Sequence, residues 1–69
     1  MNAREIAARL RLERRIRELT QVEVADIVGV DRDDISGYET GKKNPRFDTF
    51  VAWAQALGFE FVIQPKVKA

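Results

Sequence analysis

The stretch TQVEVADIVGVDRDDISGYETG, from Thr20 to Gly41, decides the fold. Thr20 offers a side-chain oxygen to the amides that open a helix, and Glu23, three residues on, completes a reciprocal capping pair. Val24, Ala25, Ile27 and Val28 follow at helical spacing. Gly29 then supplies the positive φ that ends the helix and turns the chain. Two residues later Asp31 can cap a second helix, with Asp34 at the reciprocal position. This helix runs to about Glu39, turns Ile35 and Tyr38 inward, and stops at Gly41. Ala25 is small where the two helices cross, so their backbones can approach. Val24, Val28, Val30, Ile35 and Tyr38 supply the apolar contacts that set the angle between them. The stretch therefore reads as two short helices joined by a tight, glycine-containing turn.

Outward from this unit the chain stays helical on both sides. Residues 3–18 are rich in Ala, Arg, Glu and Leu and hold no Gly or Pro, which predicts a helix. Ala8, Leu12, Ile16 and Leu19 fall at spacings of four, four and three and form its expected core face. On that reading Arg15 lies at the edge of the face and Arg14 points nearly opposite. Ile6 and Leu10 make a second apolar patch, open to two readings: a partner chain, or the end of the same core. After Gly41, Lys42-Lys43-Asn44-Pro45 reads as a basic loop, with Asn44 as cap and Pro45 at the first position of a fourth helix. That helix runs to Leu57, buries Phe47, Phe50, Val51, Trp53, Ala54 and Leu57, and ends at Gly58. The aromatic residues read as core, not as a stacking platform for single strands.

Beyond Gly58 the period changes. Phe59, Phe61 and Ile63 alternate with Glu60, Val62 and Gln64, and Pro65 closes the pattern, which predicts a strand over about 59–64. A lone strand cannot satisfy its own backbone, and even two strands are marginal without support. Pairing with the same strand of a second copy across a two-fold axis answers this. The alternative is an extended tail laid on the helices.

Sixty-nine residues make a single domain, 1–69. A chain this short buries only about 60% of its unfolded surface, so it leans on disulfides, metals or self-association. The sequence has no Cys and no His, which removes disulfides, thiolate chemistry and the commonest general base and metal ligand. No nucleophile–base pair stands out; the expectation is no enzyme, no metal and no cofactor. No run approaches the roughly 18 apolar residues of a membrane span and none near the start has signal-peptide length, so the expected location is cytoplasmic. Charge is segregated. Residues 1–19 hold six Arg against Glu5, Glu13 and Glu18, while residues 20–40 hold Arg32 against six acids. Residues 41–69 return to five basic groups against Asp48 and Glu60.

Leu19-Thr20-Gln21, Val24-Ala25, Gly29-Val30, Ile35-Ser36, Glu39, Gly41-Lys42, Asn44-Pro45, Asp48-Thr49 and Ala56-Leu57-Gly58 together resemble the Xre/Cro–CI-type repressors and antitoxin-like regulators. The trailing strand looks like the antitoxin-type branch. The resemblance implies an all-α, four-helix, lambda-repressor-like helix-turn-helix domain (unit about 20–41) with a C-terminal strand that pairs across a homodimer. It implies a sequence-specific binder of double-stranded DNA, acting as a repressor or autoregulating protein, whose second unit helix enters the major groove. Arg32, Asp33, Ser36 and Gly37 would face base edges. Gln21, Thr40, Lys42, Lys43, Asn44 and Arg46 would hold the backbone. Glu39 would pair with an arginine of the first helix, for which the face reading selects Arg15. Phe59, Phe61, Val62 and Ile63 would line the dimer interface. Three aspartates opening the reading helix oppose a polyanion. The alternative is therefore a protein-interaction module on the same scaffold, such as an antitoxin that neutralises a toxin.

Overall fold

The computed structural model describes residues 2–66. It contains four helices: α1 (Ala3–Ile16), α2 (Gln21–Val28), α3 (Arg32–Thr40) and α4 (Phe47–Ala56). α2 lies on α3, α1 packs against α3, and α2 against α4. None is long and apolar enough to cross a membrane, among the described residues.

The helix ends follow local chemistry. Asn2 and Glu5 close a capping box on α1, and Thr20 and Glu23 close one on α2, with Oγ1 of Thr20 accepting from the Glu23 amide at 3.0 Å. Gly29 ends α2 at φ 87°, and the Gly29 and Val30 amides both donate to the Ala25 carbonyl. The Asp31 amide donates to the Asp34 carboxylate at 3.3 Å as α3 begins, and Gly41 ends α3 at φ 80°.

α1 ends differently. Glu18 stands at φ 56°, the one non-glycine residue in the left-handed region among those described. The Leu19 amide donates to the Arg14 carbonyl, closing a Schellman-type turn. Leu19 is thus outside the helix, and the expected face through Ala8, Leu12, Ile16 and Leu19 is corrected. Leu12 and Ile16 are exposed, whereas Leu10 is buried and Ile6 and Ala7 pack beside it. Ile6 and Leu10 therefore belong to the core, and the same face carries Arg14 inward.

The core is Leu10, Val24, Ala25, Ile35, Trp53, Ala54 and Leu57. The Trp53 ring sits 5.7 Å from Tyr38 and 5.9 Å from Phe50, centre to centre. Its Nε1 is buried with no hydrogen-bond partner, an omission that costs about 1–3 kcal/mol. Phe47, expected inside, is two-thirds exposed. The start of α4 also shifts: Arg46, not Asn44, is its N-cap, and Pro45 stays in the loop. The Lys43 amide donates to the Gly37 carbonyl at 3.0 Å, which keeps the loop on α3 and delays the next helix.

Residues 59–66 form neither helix nor strand ladder within the described chain. Phe59 donates its amide to Ala54, and Phe61 rests its ring 5.3 Å from Phe50 and 6.1 Å from Phe47. Within one chain Phe59 and Phe61 rest on the helices while residues 62–66 stand exposed, and the strand expected over 59–64 has no partner strand among the described residues.

Candidate nucleic-acid interface

Glu39 locks α3 in place. Its carboxylate accepts from Arg14 Nε at 2.7 Å, from Arg14 Nη2 at 3.1 Å and from Gln21 Nε2 at 3.1 Å. Arg14 also donates to the Leu19 carbonyl at 2.9 Å, and Arg11 approaches Glu39 at 3.8 Å. One carboxylate therefore ties α1, the α1–α2 turn and α2 to the end of α3. The expected partner Arg15 is corrected to Arg14. Arg14 is one helical turn from buried Leu10, a position that the misplaced α1 face had assigned to solvent.

With its inner side held, α3 presents Arg32, Asp33, Ser36 and Thr40 along one outer face, at spacings of one, three and four. Arg32 and Asp33 are exposed and meet at 3.4 Å. Gly37, four residues after Asp33, borders that face but is covered. It is buried beneath the Lys43 side chain, and a Cβ there would stand 2.7 Å from that chain. The missing side chain makes room for the Lys43 stem, whose Nζ reaches Asp34 at 2.8 Å. That ion pair holds the Asp34 carboxyl below its ordinary pKa, chiefly through the Lys43 hydrogen bond, and raises Lys43 in return. Burial raises the Tyr38 phenol alongside.

Lys42, Asn44 and Arg46 are exposed on the α3–α4 loop, and Thr40 Oγ1 donates back to the Ser36 carbonyl at 2.9 Å. At the opposite end of the unit lies an open hollow of about 440 Å³ between the α1–α2 turn and α3. Arg14, Thr20, Gln21 and Arg32 border it. The first amides of α2, which no helix carbonyl can satisfy, belong to the same border. Of the acidic residues at the start of α3, Asp34 is held by Lys43 and by the Asp31 amide, whereas Asp33 stays exposed beside Arg32.

The sequence profile of the helix-turn-helix domain matches residues 5–60. The chain belongs to the helix-turn-helix domain family. Among curated proteins, none matches it. In DNA-binding helix-turn-helix domains the second unit helix is the one that enters the major groove, and α3 stands at the corresponding place in this chain. Of the residues expected at the interface, the fold gathers Arg32, Asp33, Ser36 and Thr40 on one face of this helix-turn-helix. It sets Lys42, Asn44 and Arg46 beside its end, and turns Gln21 toward Glu39. Phe59, Phe61, Val62 and Ile63 lie apart on the C-terminal segment, half-buried at Phe59 and exposed beyond it. Arg14 escaped the sequence reading, although its spacing of four from Leu10 was the available signal.

Proposed function

We propose that the chain is a sequence-specific, double-stranded DNA-binding transcriptional regulator that works as a homodimer, as a repressor or an autoregulating antitoxin-like protein. The observation that carries this reading is the outer face of α3, exposed at Arg32 and Asp33 and braced from behind by Glu39, Arg14 and Gln21. Arg32 has the fork that fits guanine O6 and N7, Asp33 accepts from cytosine N4, and Ser36 can serve either. Thr40, Lys42, Lys43, Asn44 and Arg46 flank the backbone, and the hollow at the start of α2, beside Gln21, takes a phosphate. A two-fold dimer would present two copies of α3 to half-sites about 34 Å apart.

The acidic balance of residues 20–40 favours one second reading, a protein-interaction module whose partner, a toxin for instance, is basic there. Retardation of random duplexes at low salt, followed through rising salt, separates the two. DNA binding predicts retardation that falls steeply with salt; no retardation at any salt leaves the interaction module. On a selected site, Arg32→Ala is expected to cost about 1–3 kcal/mol and relax preference at one base pair, whereas Lys42→Ala weakens all sequences alike. Equal losses on every sequence for Arg32→Ala would remove its reading role.

A further inference from the structure

The outward ridge of α3 has a gap, and a residue from outside the helix fills it. Asp33 and Gly37 are four apart with Ser36 and Thr40 beside them, while Ile35 and Glu39 are buried on the opposite side. Gly37 therefore falls where a side chain of α3 would point outward. The Lys43 stem takes that place: its Cγ and Cδ lie 2.7 and 2.8 Å from where a Cβ of Gly37 would stand. Two anchors hold it. The Lys43 amide donates to the Gly37 carbonyl at 3.0 Å, and its Nζ donates to Asp34 Oδ1 at 2.8 Å. The stem thus runs back along α3 toward its N-terminal half, where Asp33 also acts on the ammonium charge. Arg32 is the one cation that α3 itself carries. Lys43 brings a second to the same ridge from the loop, with half of its side chain exposed.

We propose that Lys43 reads a base in place of the side chain that Gly37 lacks, its ammonium directed at a guanine from the ridge of α3. This role rests on the DNA reading, and it sets Lys43 apart from the other loop cations, which flank the phosphates. An ammonium carries three donors. Asp34 takes one, and the others remain for O6 and N7 of guanine in the major groove. A lysine on a free stem loses rotamer freedom when it meets a base, whereas this one is already placed by Gly37 and Asp34. Residues toward the N-terminal end of a groove-entering helix are the ones that reach base edges, and Nζ stands among them beside Asp34. Asp34 is then a positioning residue, its carboxylate turned to the lysine.

The test is retardation of a duplex selected by the parent chain from a random pool, beside duplexes changed at one base pair at a time. The parent should favour guanine about tenfold at a pair distinct from the one that responds to Arg32→Ala, the scale of one base contact. Lys43→Met keeps an unbranched stem over Gly37 and removes the ammonium. It should bring that preference to within about twofold and leave the Arg32 pair discriminated. Asp34→Asn removes a negative charge from the ridge together with the lysine's anchor. It should tighten binding to random duplexes and weaken the guanine preference about threefold, the scale of a surface ion pair. A lysine that acts only on phosphates predicts otherwise: uniform losses for Lys43→Met, and uniform gains with unchanged preference for Asp34→Asn. Either result would overturn the proposal while DNA binding stands. A parent chain that retards no duplex would overturn both. The ion pair lies at the surface, so both variants should keep the parent's helical circular dichroism, and if one loses it the other decides.

Discussion

Glu39 is the buried charged side chain among the described residues, and its two-point contact with Arg14 closes the space behind α3. Removing one partner of such a pair leaves the other charge without compensation, which costs about 3 kcal/mol or more. Glu39→Ala and Arg14→Ala are therefore expected to lower stability by about this amount in urea unfolding, and Arg15→Ala, at an exposed site, by less than about 0.5 kcal/mol. A loss at Arg15 as large as at Arg14 would reverse the assignment. Asp34 and Lys43 make a different kind of pair, exposed and titratable. A carboxyl whose pKa is lowered on folding stabilises the fold above its ordinary value of about 3.9, and that stabilisation fades as pH falls through the lowered value. Lys43, raised on folding, contributes below its ordinary pKa and loses its part as pH climbs through the higher one. Asp34→Asn should consequently flatten the acid limb of the Tm–pH curve, read by circular dichroism below roughly pH 5. An acid limb as steep as that of the parent chain would show that the ion pair is absent in solution.

At the scale of elements, the helix ends decide how much can be read in advance. α2 and α3 carry their own punctuation: Thr20 with Glu23, Gly29, Asp31 with Asp34, and Gly41 each act within a few residues, so both helices are legible to within a residue. α1 lacks a terminal glycine. Its turn is made by Glu18 at φ 56°, which no residue type announces, and a helical count carried through to Leu19 rotates the whole face. That single shift exchanged Leu12 and Ile16 for Ile6 and Leu10, and Arg15 for Arg14. The start of α4 was hidden for another reason, because the Lys43–Gly37 hydrogen bond is made between segments rather than along one. The same contact buried Gly37, which spacing alone had placed outward. Left-handed backbone costs a side-chain-bearing residue about 1–2 kcal/mol, partly offset by the freedom glycine adds to the unfolded chain. Glu18→Gly should thus raise stability by about 0.5 kcal/mol, with helicity unchanged. A lower Tm would show that the turn is held by more than its backbone.

The whole molecule is more open than its size requires. A compact chain of this length has a radius of gyration of about 11 Å, against 12.6 Å here. A monomer of this mass exposes roughly 4,400 Å², whereas this chain exposes 5365 Å². Residues 61–66 are all exposed, among them Val62 and Ile63, with Phe47 close by against Phe61. Apolar side chains in this arrangement gain by being covered, and a second copy of the chain offers an identical set across a two-fold axis. Phe61→Asp is a blunt probe of such a dimer, since Phe61 also packs on Phe50 in its own chain. Ile63 is 92% exposed, so Ile63→Asp should spare the single-chain fold. Sedimentation equilibrium of the parent chain should give twice the sequence mass, and Ile63→Asp the mass of one chain, with the same helical spectrum. Loss of the dimer should also lower affinity for a two-half-site duplex far more than for a half-site, because only the dimer joins two contacts into one binding event. A parent chain sedimenting as a monomer at tens of micromolar, or an Ile63→Asp variant that remains dimeric, would move self-association away from the C-terminal segment.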